Sequence, residues 1–197
     1  MESFELPLFP LHAVLFPGGP LKLRIFEARY VDMIGRCMRG DEPFAVALIV
    51  EGREVGPART ASIGTSARIT DFERLRDGLL GITARGERRF TIQTARVAND
   101  GLNMATLGWR AESVTPVPDE FAPIVRFVSH VYPHVSSSYG ETVPALDEAC
   151  WLSARAAELL PLSLPDRQTC LSLDDPVQRL EFLLPHLNAL GEAGRFP

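Results

Sequence analysis

The sequence predicts an α+β fold: a mainly β lobe over residues 1–115 with one inserted helix, followed by a C-terminal helical bundle over residues 116–197. Three observations carry this. Short apolar segments, several alternating with period two and bounded by Gly, Asp or Asn, fill the first lobe. After Pro116 and Pro118 the apolar residues switch to helical spacing. The chain is 46% apolar over 197 residues, enough to build a core in one large domain or two small lobes.

FELPLF (4–9) and AVLF (13–16) read as short strands separated by proline turns. In LKLRIF, Leu21, Leu23 and Ile25 face one way, Lys22 and Arg24 the other. FAVALIV (44–50) is continuously apolar, as a buried strand is. SARITDF, LLGITARG, RRFTIQTARV and LNMATLGW follow, each ended by a turn signal, and so many short strands suit a barrel or a compact sandwich. The inserted helix is EARYVDMIGRCMRG, with Tyr30, Met33, Ile34, Cys37 and Met38 on one face and Gly40 placed to end it in a left-handed conformation.

In the second lobe Asp119 is the predicted N-cap of a helix whose apolar face is Phe121, Ile124, Val125, Val128, Val131 and Tyr132, ended or kinked by Pro133. SSSYGE is a loop. A helix over DEACWLSARAAELL uses Ala149, Leu152, Ala156, Leu159 and Leu160, and a short one covers DRQTCL. The last helix starts with Asp175 as cap and Pro176 at its first position, carries the stripe Val177, Leu180, Leu184 and Leu187, and should bend at Pro185.

Charge and cysteine usage narrow the function. A net charge of -5 argues against a dominant role on nucleic acid or anionic membrane. Cys37, Cys150 and Cys170 are widely spaced and form no CxxC, so a disulfide framework or structural zinc is not expected and a reducing cytosol is the natural setting. The proline-interrupted start lacks a basic region and does not read as a signal peptide, and no apolar run is long enough to span a bilayer.

PLFPLHAVLFPGGPLKLRIFEARY at the start, GTSARITDF followed by DGLLGITARGERRFTI, and the tail WLSARAAELLPLSLPDRQTCLSLDDPVQRLEFLL together resemble the amino-terminal domain of Lon proteases, in the form found in short bacterial proteins. The resemblance runs in order over nearly the whole chain. It implies a barrel-like β lobe of the PUA class joined to a helical bundle, and a role in recognising polypeptides. It also implies that the ATPase and Ser–Lys protease modules of full-length Lon lie beyond this domain.

The residues agree that such chemistry is absent from this stretch. A P-loop needs a lysine after its glycine turn, and a Ser–Lys dyad needs a lysine base. Of the twenty basic residues only Lys22 is a lysine, and it sits in a strand with no nucleophile motif near it. GTSAR superficially matches a nucleophile elbow around Ser66, but Arg68 stands where the closing glycine belongs, so a turn entering a strand is expected. His130 and His134 share helical spacing without an acidic partner, so no metal site is expected. Cys37 reads as a core thiol. Cys150 and Cys170, which could approach one another in a bundle, read as structural because no basic activator is visible. Arg68, Arg74, Arg76, Arg85, Arg88 and Arg89 alternate with Asp71, Glu73, Asp77 and Glu87, which predicts a solvated rim of ion pairs without an aromatic platform. The expected function is therefore non-enzymatic binding of unfolded or partly folded polypeptide or of a protein partner, with no cofactor, no catalytic residue, and a binding surface that the sequence does not locate. RNA binding by the barrel is the alternative, and a hydrolase using Ser66 or a cysteine is the third reading.

Overall fold

Alternating and continuously apolar segments form seven strands among the described residues of the first unit: β1 (Phe4–Leu11), β2 (Pro20–Ile25), β3 (Phe44–Gly52), β4 (Ala58–Thr60), β5 (Ile63–Arg74), β6 (Leu80–Val97) and β7 (Asn103–Trp109). Helix α1 (Ala28–Gly40) lies between β2 and β3. The computed structural model describes residues 4–54, 58–140 and 142–192. The chain divides into two compact units, Met1–Arg110 and Ala111–Pro197. The result is a mixed sheet-plus-helix fold. The sheet order is β1-β7-β6-β5-β3-β4, with β2 added on β6 and a further pairing of β3 with β1. The β1–β3 pair is parallel and the others are antiparallel.

The first unit buries two apolar clusters. Phe9, Ile25, Met33, Ile34, Phe44 and Ile82 are part of the larger, which takes in the apolar face of α1. Leu8, Ala45, Ala47, Phe90 and Leu107 belong to the smaller. Inside the larger, the Phe9 and Tyr30 rings stack at 4.0 Å. The strand β3 is buried over its first six residues because its alternate side chains enter both clusters.

Several local expectations change. AVLF is not a strand. Leu15 and Phe16 are buried in irregular chain, where the Leu15 carbonyl accepts a 2.6 Å bond from Thr65 Oγ1. LLGITARG and RRFTIQTARV are one strand, the eighteen-residue β6. Gly86 is not a turn but a close approach: a Cβ there would collide with the Phe16 carbonyl oxygen. GTSAR likewise lies inside β5, where Gly64 makes room for the Val46 carbonyl and the Phe90 ring. The helix α1 runs through Gly40, and Asp41 takes the left-handed conformation (φ 49°), which a short polar side chain tolerates. Met38 is exposed because the buried face of α1 stops at Cys37.

In the second unit the described helices are α2 (Ala122–Val135), α3 (Ala149–Leu159), α4 (Leu164–Ser172) and α5 (Pro176–Glu192). Asp119 opens a 3-10 turn (Asp119–Phe121) ahead of α2 instead of capping it, and Ser136–Tyr139, expected as loop, is a second such turn. Pro133 sits inside α2, two residues before its end. The Glu148 carboxylate caps α3 by accepting from the backbone N–H of Cys150 and Trp151, at 2.8 and 2.6 Å. Asp175 Oδ1 accepts from the Val177 N–H at 2.8 Å, with Pro176 first in the helix. The buried face of α5 is Pro176, Arg179, Leu180, Leu183 and Leu187, so Val177 and Leu184 flank it. The helix continues past Pro185 to Glu192; the carbonyl that loses its donor belongs to the exposed Glu181. No described helix is long and apolar enough to cross a membrane.

The close approach at Gly86 gives a direct test. Gly86→Ala should destabilise the protein by about 1–3 kcal/mol, the usual range for forcing an extra carbon into a packed site. Urea unfolding monitored by circular dichroism measures this, and an unchanged midpoint would contradict the packing described.

Candidate functional site

A cleft of about 230 Å³ opens along β2 in the first unit. All of residues 21–26 line it. Successive side chains of a strand point to opposite faces, so a wall made of consecutive residues marks the edge of β2 and not one of its faces. The other bank is formed by Phe9, Leu11, His12 and Ala13, with Glu54 beside them. The His12 N–H donates to Glu54 Oε1 at 3.2 Å. Phe26, at the end of the strand, leaves 58% of its surface exposed. Lys22 is exposed on this strand and has no ion pair among the described residues, while Arg24 pairs with Asp77. A second cleft, of about 400 Å³, lies against Leu8, Pro10, Ile92 and Val97. Its arginines are already engaged: Arg59 with Glu51 at 3.1 Å and Arg96 with Glu5 at 2.8 Å.

The arginine cluster is only partly the solvated rim that alternation predicts. Arg68 pairs with Glu87 at 2.5 Å and with Asp41, whose backbone carbonyl it also meets. Arg74 and Arg76 are exposed. Arg89, however, is fully buried, in a part of β6 that pairs with β5 on one edge and accepts from the Arg110 N–H on the other. Arg88 stacks its guanidinium on Trp109 at 4.6 Å, and Phe4 packs against the same ring at 5.5 Å. An aromatic therefore does accompany the arginines, brought in by β7 from a distance that sequence alternation cannot show. The guanidinium covers a face on which a base would stack.

The candidate nucleophiles occupy settled positions. Ser66 is buried in β5, donating to the Arg88 carbonyl at 3.3 Å and accepting from the Arg88 N–H at 3.2 Å. Cys37 and Cys170 are buried, and all three cysteines are free thiols. Burial pushes the Cys37 thiol up. The His130 and His134 rings lie 6.0 Å apart, and no group of three metal-ligating side chains occurs among the described residues.

Cys150 has a neighbour that the sequence did not suggest. Arg179 is 2% exposed; its Nη1 donates to the Cys150 sulfur at 3.4 Å and its Nη2 to Glu112 Oε2 at 3.0 Å. Its Nε donates to the Leu173 carbonyl at 2.9 Å. The thiol in turn donates to Glu112 Oε2 at 2.9 Å. Burial, and then the Glu112 acceptor and its charge, push this thiol up to about 11 in spite of the arginine. Glu112→Gln removes that acceptor charge and leaves Arg179 in place. Alkylation of Cys150 by iodoacetamide at pH 8 should then accelerate by roughly three- to tenfold; no acceleration would mean that Glu112 does not hold the proton.

A second cluster in the helical unit joins Tyr139, Arg155 and Glu158. The Arg155 Nε lies 2.8 Å from Glu158 Oε2 and its guanidinium sits over the Tyr139 ring at 4.9 Å. The Tyr139 hydroxyl donates to the same carboxylate at 3.1 Å. Burial outweighs these partners and raises the Glu158 carboxyl from its ordinary 4.5 to about 7. Between those values the folded state holds the proton more tightly than the unfolded chain. The group's contribution to stability is thus full below about 4.5 and is lost as pH rises through about 7. Glu158→Gln removes this titration. Its stability relative to the parent should improve between pH 5 and pH 8, as read by urea unfolding across the series; a constant difference would contradict the raised value.

The fold is thus a sheet unit and a helical unit, with a strand-edge cleft in the former, and its known counterparts define the class. The chain belongs to the family of the ATP-dependent protease La (LON) substrate-binding domain, whose model matches residues 5–189. The crystal structure of a Lon N-terminal domain protein from Xanthomonas campestris is similar, with a TM-score of 0.78 and 38% identity, over 92% of this chain and 98% of that one. The N-terminal domain of Mycobacterium avium complex Lon protease shares the fold, with a TM-score of 0.69 and 16% identity over 94% of this chain and 98% of that one. The Lon protease of Vibrio parahaemolyticus serotype O3:K6 is 24% identical over 206 residues, 95% of this chain. This chain spans 25% of the length of that protease.

Proposed function

We propose that the chain binds unfolded or partly folded polypeptide as a substrate-recognition module and carries out no catalytic step itself. The observation that carries this reading is the cleft along β2, with Phe9, Leu11, Leu21 and Leu23 in its walls and the exposed Phe26 at its end. Apolar side chains of a folded protein are already buried, so an apolar-walled cleft favours segments that have none of their own core around them. Membership of the substrate-binding family supports it. In the same reading, the pairings from β1 through β7, β6, β5 and β3 form a PUA-like barrel, residues 1–115 and 116–197 are two lobes of one unit, and the chain works in the bacterial cytoplasm. The non-catalytic part of the proposal is supported by the satisfied hydroxyl of Ser66 and the protonated thiol of Cys150.

Binding through apolar surface should show a negative heat-capacity change and little salt dependence, whereas RNA binding weakens steeply with salt. Titration with a reduced, unfolded model protein and with a structureless RNA, each at low and near-physiological salt, separates the two. The expected result is polypeptide binding that survives salt and weakens in Phe26→Ser. Salt-sensitive RNA binding with no polypeptide signal would overturn the reading.

A further inference from the structure

The ladder geometry around β2 fixes which way its backbone points. The β5–β6 hairpin closes with the Leu75 N–H donating to the Leu79 carbonyl at 2.9 Å. Counting back along the antiparallel register, bonded and non-bonded pairs alternate, which makes Glu73–Gly81 and Asp71–Thr83 bonded pairs. Thr70 Oγ1, in the β5 bulge, donates to the Thr83 carbonyl at 3.2 Å, so that carbonyl faces β5. Gly81 and Thr83 therefore turn their N–H and C=O to β5, and Leu80, Ile82 and Ala84 turn theirs to β2. The β2 partners of Leu80, Ile82 and Ala84 are Ile25, Leu23 and Leu21. Lys22 and Arg24, opposite Thr83 and Gly81, direct their own N–H and C=O away from β6. Among the described residues β2 pairs with β6 alone, and the open side is the cleft.

We infer that this open edge accepts an extended polypeptide segment as an added strand, bonded to the outward N–H and C=O groups of Lys22 and Arg24, with an acidic side chain of the segment opposite Lys22. The inference rests on the polypeptide-binding reading above and names how that site would work. An extended backbone is the partner that matches alternating donors and acceptors spaced along an edge. The side chains choose among such segments. Leu21 and Leu23 are half-buried and face the core side, while Lys22 stands exposed on the other face without an ion pair among the described residues. A segment alternating apolar and acidic residues satisfies both faces. A second copy of the chain does not. Antiparallel pairing of β2 with itself sets Lys22 against Lys22 or Arg24, and like charges directly opposite are destabilising.

The test uses the full chain, a fluorescein-labelled octapeptide of alternating valine and aspartate, the same peptide N-methylated at alternate backbone nitrogens, and a version with lysine in place of aspartate. Proline at position 24 removes an outward N–H and leaves the β6 ladder intact, as an edge strand tolerates. Arg24→Ala keeps that N–H and controls for the lost Asp77 pair. The acidic peptide should bind Arg24→Pro about fivefold or more weakly than Arg24→Ala, and N-methylation should cost at least as much, because lost backbone bonds have no substitute in the cleft. Lys22→Glu should reverse the preference between the aspartate and lysine peptides. Equal binding by the proline and alanine variants, or undiminished binding of the N-methylated peptide, would overturn the added-strand proposal. The reduced model protein, run in parallel, separates this from the broader reading: if it still binds while the peptide criteria fail, only the edge proposal falls, and if it does not bind the parent chain, both fall.

Discussion

The eighteen-residue strand β6 has a hydrogen-bonding partner on each edge over most of its length, and the first unit is arranged around how this is achieved. One edge is given to β5 from Leu80 to Thr91. The other is divided: β2 takes Leu80 to Arg85, β7 takes Phe90 to Val97, and the turn before β2 covers the point between them. There the Gly86 N–H donates to the Gly19 carbonyl at 2.9 Å and the Gly18 N–H to the Gly86 carbonyl at 2.7 Å. This handover requires backbone to lie directly on backbone, which is why a residue without Cβ stands at position 86. It also ends β2 as a partner of one strand only. The open edge beside the cleft is thus a by-product of how β6 is covered.

The second constraint is the cost of buried charge. Arg89, Arg155 and Arg179 are nearly inaccessible to solvent. A desolvated cation is strongly unfavourable unless its donors are met, and a guanidinium can meet several acceptors at fixed angles where an ammonium is a compact point charge. Arg179 illustrates this by reaching Glu112, two backbone carbonyls and a sulfur at once. The near-absence of lysine, whatever its origin, is compatible with such sites. The one lysine lies where a solvated charge is wanted, on the exposed face of an open strand.

Much of the fold was legible in the sequence because the relevant signals are local. The buried face of α1 from Tyr30 to Cys37, though not Met38, and the Asp175–Pro176 start of α5 follow from spacing and capping, and the structure reproduces them. The failures are cases in which a distant segment decides. Gly86 has the composition of a turn, and only the Phe16 carbonyl, seventy residues away along the chain, makes it a strand residue of close approach. AVLF has the pattern of a strand, yet Leu15 and Phe16 are buried in irregular chain, with the Leu15 carbonyl bonded to the Thr65 hydroxyl fifty residues away and not to a neighbouring strand's backbone. Arg89 alternates with acidic residues as a surface position would, yet it is fully buried, in a part of β6 that pairs with Thr65 of β5 and bonds to Arg110 beyond β7. Cys150 gains its arginine and its carboxylate from residues on other segments of the helical unit. The cleft belongs with these: alternation marks Leu21, Leu23 and Ile25 as inward-facing, but it is silent on whether the strand has one neighbour or two.

That silence bears on function, because an edge differs from a face in what it recognises. A face of alternating side chains reads the size and charge of its ligand. An edge reads backbone, and backbone N–H and C=O groups are the same for every residue except proline. Folded proteins already pair these groups within helices and sheets, whereas unfolded segments leave them to water. An edge-binding site therefore distinguishes unfolded from folded chains with little regard to sequence, which is the discrimination that recognition of unfolded substrates requires. The apolar walls then add affinity for segments that a folded protein would have buried, and the charge at Lys22 adds a bias without making the site selective for one sequence. Bonds to backbone are also few and mutually exchangeable with water, so the net gain from each is small. A segment held through such bonds is released readily.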